Sequence, residues 1–89
     1  MNSFTDSIKN LVRNKIIQLA DKIDNDASDL RDTDIIPETG YLDSAGIIEL
    51  VVWLEDIFEV VIKDSEITIE NLGSLNSIGE FIIAKKRKN

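Results

Sequence analysis

Residues 40–58 read GYLDSAGIIELVVWLEDIF, and in this stretch a turn passes directly into a long helical pattern. Gly40 favours a turn, Asp43 and Ser44 are residue types that begin helices, and the apolar residues that follow recur at helical spacing. Backbone N–H groups at the start of a helix lack partners within the helix, and they favour an anion placed there. The stretch therefore predicts a helix over residues 44–60, with a solvent-facing serine at its start that could carry a phosphodiester.

The predicted helix presents two apolar sectors when its residues are placed at about 100° intervals. One narrow stripe is expected to face the core, and it comprises Ile47, Leu50, Val51, Leu54 and Phe58. A second sector with an acidic rim points away from the core, and it comprises Ala45, Ile48, Glu49, Val52, Asp56 and Glu59. We expect this second group, named here the docking sector, to contact partner proteins.

Five further residues of this helix need separate consideration. Ile48 and Val52 could instead pack beneath the preceding loop, which would remove them from the docking sector. Trp53 and Ile57 fall on the opposite flank, where we expect packing against a short third helix. Ser44 itself could serve only as the N-cap of its helix, since serine and aspartate are both favoured there.

The rest of the chain predicts further helices. Apolar residues recur at helical spacing over 4–23, with Ser3 and Asp6 as a possible capping pair. Residues 24–43 are polar and form a long connection, and a short helix is expected over 65–71. A last helix, capped by Ser74 or Ser77, carries its apolar residues inward. We therefore expect one all-α domain over residues 1–89, a small antiparallel four-helix bundle with a long loop between helices 1 and 2.

Composition excludes several classes of function. The 89 residues include no histidine and no cysteine, so typical zinc sites, Ser-His-Asp triads and Cys-His pairs are excluded, and we expect no catalysis by this chain. The net charge of −7 disfavours nucleic acid and favours partners with basic surfaces. We also expect a cytoplasmic protein, because there is no secretory signal, no disulfide and no apolar run near the roughly 18 residues of a membrane span.

Metal binding is not expected either. Asp24, Asp26 and Ser28 begin like a calcium-binding loop, but Asp29 stands where such a loop needs glycine and Ile35 where it needs glutamate. The basic residues 85–88 are better explained as cations that oppose the dipole at a helix C-terminus than as a targeting signal.

The chain resembles acyl carrier proteins, which are acidic four-helix bundles of this size. They carry Asp-Ser at the start of helix 2, as Asp43-Ser44 does here, followed by an apolar-Glu-Leu turn and an acidic end that contains phenylalanine. Those elements match residues 48–50 and 54–58, and residues 62–67 and 71–78 are similar to the family's entries into helices 3 and 4.

The resemblance implies a covalent 4′-phosphopantetheine cofactor on Ser44, transferred from coenzyme A by a phosphopantetheinyl transferase that Asp43 helps to orient. The arm would hold an acyl or aminoacyl group as a thioester. Partners would be an acyl- or aminoacyl-activating ligase and downstream synthase or transferase enzymes, and the carrier would be a monomer. The alternative is a helical interaction module that keeps this fold but is never modified.

The residues after Ser44 depart from many carriers, which have leucine and then an acidic residue there. Ala45 and Gly46 stand at these positions, and Gly46 is expected to cost about 0.5–1 kcal/mol of helix stability relative to alanine. The Gly-x-Leu-Asp-Ser-x-Gly form of residues 40–46 is similar to D-alanyl carrier proteins and to stand-alone carriers that work with adenylate-forming ligases. Fatty acyl, polyketide, aminoacyl and D-alanyl cargo all stay open at this point.

Overall fold

The computed structural model describes residues 4–87, and these residues form five α-helices without a strand. The helices are α1 (Phe4–Asp21), α2 (Ile36–Thr39), α3 (Ser44–Phe58), α4 (Ile69–Leu72) and α5 (Leu75–Arg87), with a 3₁₀ turn at Asp64–Glu66. The prediction of an all-helical bundle is therefore confirmed. Within residues 4–87, no helix combines the length and the apolar character that crossing a membrane requires.

The long helices end close to the predicted positions. The helix predicted over 4–23 ends at Asp21, and the helix predicted over 44–60 ends at Phe58 because Glu59 adopts a left-handed conformation with φ 56°. The backbone N–H of Glu59 donates to the carbonyl oxygen of Glu55 and so closes the last turn. The predicted capping pair of Ser3 and Asp6 cannot be assigned, since Ser3 lies outside the described residues.

The connection between α1 and α3 is not the uninterrupted loop that we predicted over 24–43. Residues 36–39 form α2, which Pro37 begins favourably because proline lacks the N–H that a first helical turn leaves unpaired. Gly40 ends α2 with φ 76°, a conformation that glycine adopts without steric cost. The backbone N–H of Ile36 donates to the carbonyl oxygen of Gly73 at 2.7 Å, and this bond fixes α2 against the end of α4.

The short helix predicted over 65–71 is divided in two. The 3₁₀ turn covers 64–66, and α4 begins only after Thr68, whose hydroxyl oxygen accepts the backbone N–H of Asn71 at 3.1 Å. Of the two predicted caps of α5, Ser74 and Ser77, the N-cap is Ser74, since its hydroxyl oxygen accepts the N–H of Ser77 at 3.1 Å.

The core lies between α1, α3 and α5 and includes residues from both connections. Its buried apolar side chains are Ile8, Val12, Ile16, Leu19, Ala20, Ala27, Leu30, Ile36, Leu42, Leu50, Val51, Leu54, Val60, Ile62, Leu75, Ile78 and Ile82. Of the predicted core stripe, Leu50, Val51 and Leu54 are buried, while Ile47 and Phe58 are partly buried against the cluster. The stripe was thus assigned to the correct side of the helix.

The prediction that Trp53 packs against the short third helix is wrong. Trp53 lies against α1, with the Lys15 ammonium 5.9 Å from its ring centroid, and its ring meets Phe58 edge-on at 6.2 Å. The reason is that α1 covers this flank of α3, whereas α4 faces the side that carries Ile47 and Leu54. Ile57, on the same flank as Trp53, is 50% exposed.

Helix α1 runs antiparallel to α3, and α5 ends beside the end of α3. Lys22, near the end of α1, pairs with Glu49 near the start of α3 at 3.6 Å, whereas Lys15 lies beside Trp53 further along. At the end of the bundle where α3 ends, the Lys86 ammonium donates to the carbonyl oxygen of Phe58 at 3.0 Å. One cation in the last turn of α5 therefore also satisfies a carbonyl group at the end of α3.

A charged cluster ties the long connection to α1 and α5. Asp32 accepts hydrogen bonds from Arg13 and from Lys9, the latter at 3.1 Å, and Lys9 also donates to the Asn76 side chain at 3.1 Å. The Arg13 guanidinium, with Lys9 beside it, holds the pKa of the Asp32 carboxyl below its usual value. These bonds fix the middle of the long connection to α1 and α5. The last residues of the connection lead into the start of α3.

Candidate functional site

The start of α3 is capped by Asp43, not by Ser44. Asp43 has the extended backbone of an N-cap, with φ −88° and ψ −179°, and its Oδ1 accepts the backbone N–H of Gly46 at 2.8 Å. Ser44 is the first helical residue and is exposed to solvent. The alternative that Ser44 serves as the N-cap is therefore wrong.

The Ser44 hydroxyl is available for chemistry. Across residues 4–87 it makes no hydrogen bond, and neither do the backbone N–H groups of Ser44 and Ala45. These N–H groups point along the helix axis at the positive end of its dipole, which favours an anion at that position. The small side chain of Ala45 is exposed beside them and leaves the approach open.

The presence of glycine at position 46 is explained by the close approach of Leu42 and Asp43 to the first turn of α3. It is buried, and a Cβ atom added there would lie 3.2 Å from Asp43 Oδ1 and 3.4 Å from Leu42 Cβ. Leu42 is itself 6% exposed and belongs to the core. The glycine therefore lets the capping carboxylate and the core leucine lie against the first turn of α3.

Asn25 holds the segment before the site, and sequence reasoning missed this residue. Its side-chain amide donates to the carbonyl oxygens of Gly40 at 3.2 Å and Tyr41 at 3.1 Å. The turn that places it follows α1, where Asp24 adopts a left-handed conformation with φ 63°. An Asp-Asn pair after a helix indicates a turn, but nothing local to it indicates which carbonyl groups the amide will reach.

All six residues of the docking sector are exposed; five lie on α3, and Glu59 directly follows its end. Ile48 is 62% exposed and Val52 is 58% exposed, so the alternative that they pack beneath the loop is wrong. Glu49 forms an ion pair with Lys22, and both of these side chains are more than half exposed, so the pair is weak and salt-sensitive. The contact of this sector with partners stays a prediction.

Comparisons with known proteins agree with this geometry. A family model described as "Phosphopantetheine attachment site" matches residues 14–82. The D-alanyl carrier protein of Streptococcus uberis is 40% identical over 72 residues, which cover 80% of this chain and 90% of that protein. Over the same shares, the D-alanyl carrier proteins of Streptococcus mutans and Streptococcus gordonii are 32% and 34% identical. The chain belongs to the phosphopantetheine-binding carrier proteins.

A carrier of this family bears a covalent 4′-phosphopantetheine arm, and the residues at the start of α3 fit such a group. Within the described part of the chain, the exposed Ser44 hydroxyl and the two backbone N–H groups beside it have no hydrogen-bond partner, so a phosphodiester would meet donors rather than acceptors. When bound, the arm supplies a terminal thiol that holds an acyl or aminoacyl group as a thioester. The carrier has no cysteine of its own for this purpose.

Proposed function

We propose that this carrier holds D-alanine as a thioester on a 4′-phosphopantetheine arm attached to Ser44, and that it delivers the aminoacyl group to partner enzymes. The observation that carries the attachment site is the exposed Ser44 hydroxyl at the start of a helix that Asp43 already caps. The D-alanyl cargo is supported by relatives named for it, which match 90% of their own length, and by the form of residues 40–46.

The chain's own part in attachment is to present one oxygen. Ser44 Oγ would form the new bond to the pantetheine-side phosphorus of coenzyme A, while the pyrophosphate P–O bond breaks and adenosine 3′,5′-bisphosphate leaves. The serine proton would pass to a base of the transferase, since this chain has no histidine. Asp43 accepts the N–H of Gly46 through Oδ1 at the start of α3. Its role is to fix the first turn of α3 and to help orient the transferase.

The docking sector supplies the partner contacts in this proposal. Glu49, Asp56 and Glu59 would meet cations of the partner, and Ile48 and Val52 would give apolar contact. The same proposal includes a single carrier domain over residues 1–89. This domain has no catalytic activity, is cytoplasmic and is monomeric.

The attachment is tested by mass measurement after incubation with coenzyme A and a phosphopantetheinyl transferase of broad specificity. We expect a gain of one phosphopantetheine, located on Ser44 by peptide mapping and absent in Ser44→Ala. No gain in the wild-type protein would favour the unmodified interaction module, and an arm on another serine would refute the site.

The cargo is tested separately on the modified protein. With ATP and a D-alanine-activating ligase, we expect D-alanine to load as a thioester that hydroxylamine releases, and L-alanine and fatty acids to load poorly. Preferential loading of a fatty acid would refute the D-alanyl proposal and leave the attachment site intact.

The docking sector is tested by charge reversal. Asp56→Lys should slow modification at low salt, and the difference should shrink as ionic strength rises, since charges are screened over about 10 Å at 0.1 M salt. Ile48→Ala should slow it with little dependence on salt, because it removes apolar contact. Glu80→Lys makes the same charge change on an exposed residue of α5 and is the matched control. Equal rates for Asp56→Lys and Glu80→Lys would place docking elsewhere.

A further inference from the structure

An open groove joins the docking sector to α1. Trp53, the only tryptophan of the chain, forms part of its floor and is partly buried. Lys15 of α1 lines one side, and the other lining residues come from α3: Ile48, Glu49, Val52, Glu55 and Asp56. The groove therefore combines an aromatic face, two exposed aliphatic side chains and three carboxylates.

A cation already lies over the aromatic face in the free protein. The Lys15 ammonium stands 5.9 Å from the centroid of the Trp53 ring and donates to Gln18 Oε1 at 3.2 Å. Tryptophan is the aromatic side chain that attracts a cation most strongly over its face. The Lys15 ammonium lies at the end of a flexible aliphatic chain and has no ion-pair partner among residues 4–87. A cation that fits the aromatic face better can therefore displace it.

The carboxylates of the groove are not equally available. Glu55 accepts the backbone N–H of Ile62 at 2.8 Å, and Glu49 pairs with Lys22. Asp56 is exposed and has no ion-pair partner within the described part of the chain. The groove thus offers one carboxylate that is unpaired among residues 4–87, close to an aromatic face that already attracts a cation.

We propose that this groove receives an arginine side chain from the enzyme that loads the cargo, with its guanidinium on the Trp53 ring and its N–H groups on Asp56. Arginine is favoured over lysine because a planar guanidinium can stack on an aromatic ring and pair with a carboxylate at the same time. Ile48 and Val52 would cover its aliphatic stem. The arginine displaces Lys15, which occupies the same face in the free carrier.

This inference rests on the proposed function, because the loading enzyme must also reach the arm. Trp53 and Ser44 lie on the same helix, separated by about 14 Å along its axis at roughly 1.5 Å per residue. A partner that places its active site near Ser44 is large enough to cover the groove as well. Tryptophan and arginine are the residue types over-represented among the contacts that dominate binding energy.

The test begins with carriers whose phosphopantetheine content has been verified by mass, so that a failure of attachment is seen before docking is measured. The rate of D-alanine loading by its ligase is then followed against carrier concentration. Lys15→Gln should raise kcat/KM by about threefold through a lower KM, because it removes the competing cation. Lys15→Arg keeps a cation over the ring and should show no gain. Arg31→Gln is the control for loss of one positive charge, since Arg31 lies on the connection between α1 and α3, is 80% exposed and pairs with its neighbour Asp34.

Trp53→Leu should lower kcat/KM by about tenfold through KM, and Trp53→Phe should have a smaller effect since phenylalanine binds cations less well. Fluorotryptophan at this single position reports binding directly by fluorine NMR, without interference from tryptophans of the ligase. The inference is overturned if Lys15→Gln behaves like Arg31→Gln, or if the fluorine resonance does not move on addition of the ligase. Failure of the wild-type protein to acquire the arm would instead overturn the proposed function.

Discussion

Substitutions at Asp43 and at Ser44 should have different effects on the stability of the fold. Asp43 Oδ1 accepts the N–H of Gly46 at 2.8 Å, so Asp43→Ala should lose the N-cap of α3 and cost about 0.5–2 kcal/mol. Asp43→Asn keeps an oxygen for the same bond and should lose only the attraction of a charge for the helix dipole, about 0.3–1 kcal/mol. Ser44→Ala should be nearly neutral, because the Ser44 hydroxyl makes no hydrogen bond within residues 4–87.

Thermal unfolding followed by circular dichroism measures these differences. For a domain of this size, 1 kcal/mol shifts the Tm by about 4–8 °C, so Asp43→Ala should be clearly resolved from Ser44→Ala. Raising the salt concentration should shrink the deficit of Asp43→Asn, since that deficit is electrostatic, and should leave most of the deficit of Asp43→Ala.

The same variants connect stability with modification. Asp43→Ala should slow phosphopantetheine transfer as well as lower the Tm, because the first turn that presents Ser44 frays. Thr68→Ala removes the matching N-cap of α4 and should lower the Tm without slowing the transfer. The assignment of the cap is refuted if Ser44→Ala destabilises the protein more than Asp43→Ala does.

Expected results for four further variants follow from the structure. Leu54→Ala, at a side chain that is 0% exposed, should cost about 2–5 kcal/mol in chemical denaturation through the cavity it leaves. Val61→Ala, at a side chain that is 72% exposed, should cost about 0.5 kcal/mol or less. Asn25→Ala should accelerate hydrogen exchange of the hydrogen-bonded amides of Tyr41 and Gly46 by about tenfold, with α5 unchanged, and equal exchange would show that Asn25 does not hold this segment. Because hydrogen bonding to Arg13 lowers the folded pKa of Asp32, its stabilisation is complete above the unfolded pKa and is lost as the pH falls through the folded value. The stability deficit of Asp32→Asn should therefore be largest at neutral pH and shrink below about pH 4, and a deficit independent of pH would contradict the ion-pair assignment.

The helical framework could be predicted because its signals are local. The spacing of apolar residues predicted the positions of α1 and α3 to within two residues, and in α3 it also predicted the side that faces the core. The Asp43-Ser44 pair marked the start of α3. Helix α2 was missed because four residues carry too little periodicity to detect, although Ile36-Pro37 before a glycine is a typical helix start and stop.

What could not be predicted depends on which element lies beside which. The angular position of Trp53 on its helix was correct, but the sequence does not state whether α1 or α4 covers that flank. The exposure of Ile48 and Val52 was undecided for the same reason, since it depends on the path of the long connection. Asn25 and the two carbonyl groups that it binds are 15 and 16 residues apart, and no pattern in the chain connects them.

The antiparallel course of α1 and the contact between Lys86 and Phe58 have a practical consequence for surface experiments. Both ends of the described chain lie toward the pole where α3 ends, and α3 has 15 residues, so this pole is about 20 Å from Ser44. A carrier immobilised through either end would therefore display its attachment serine outward, away from the support. An array built in this way would present every arm in the same orientation to enzymes in solution.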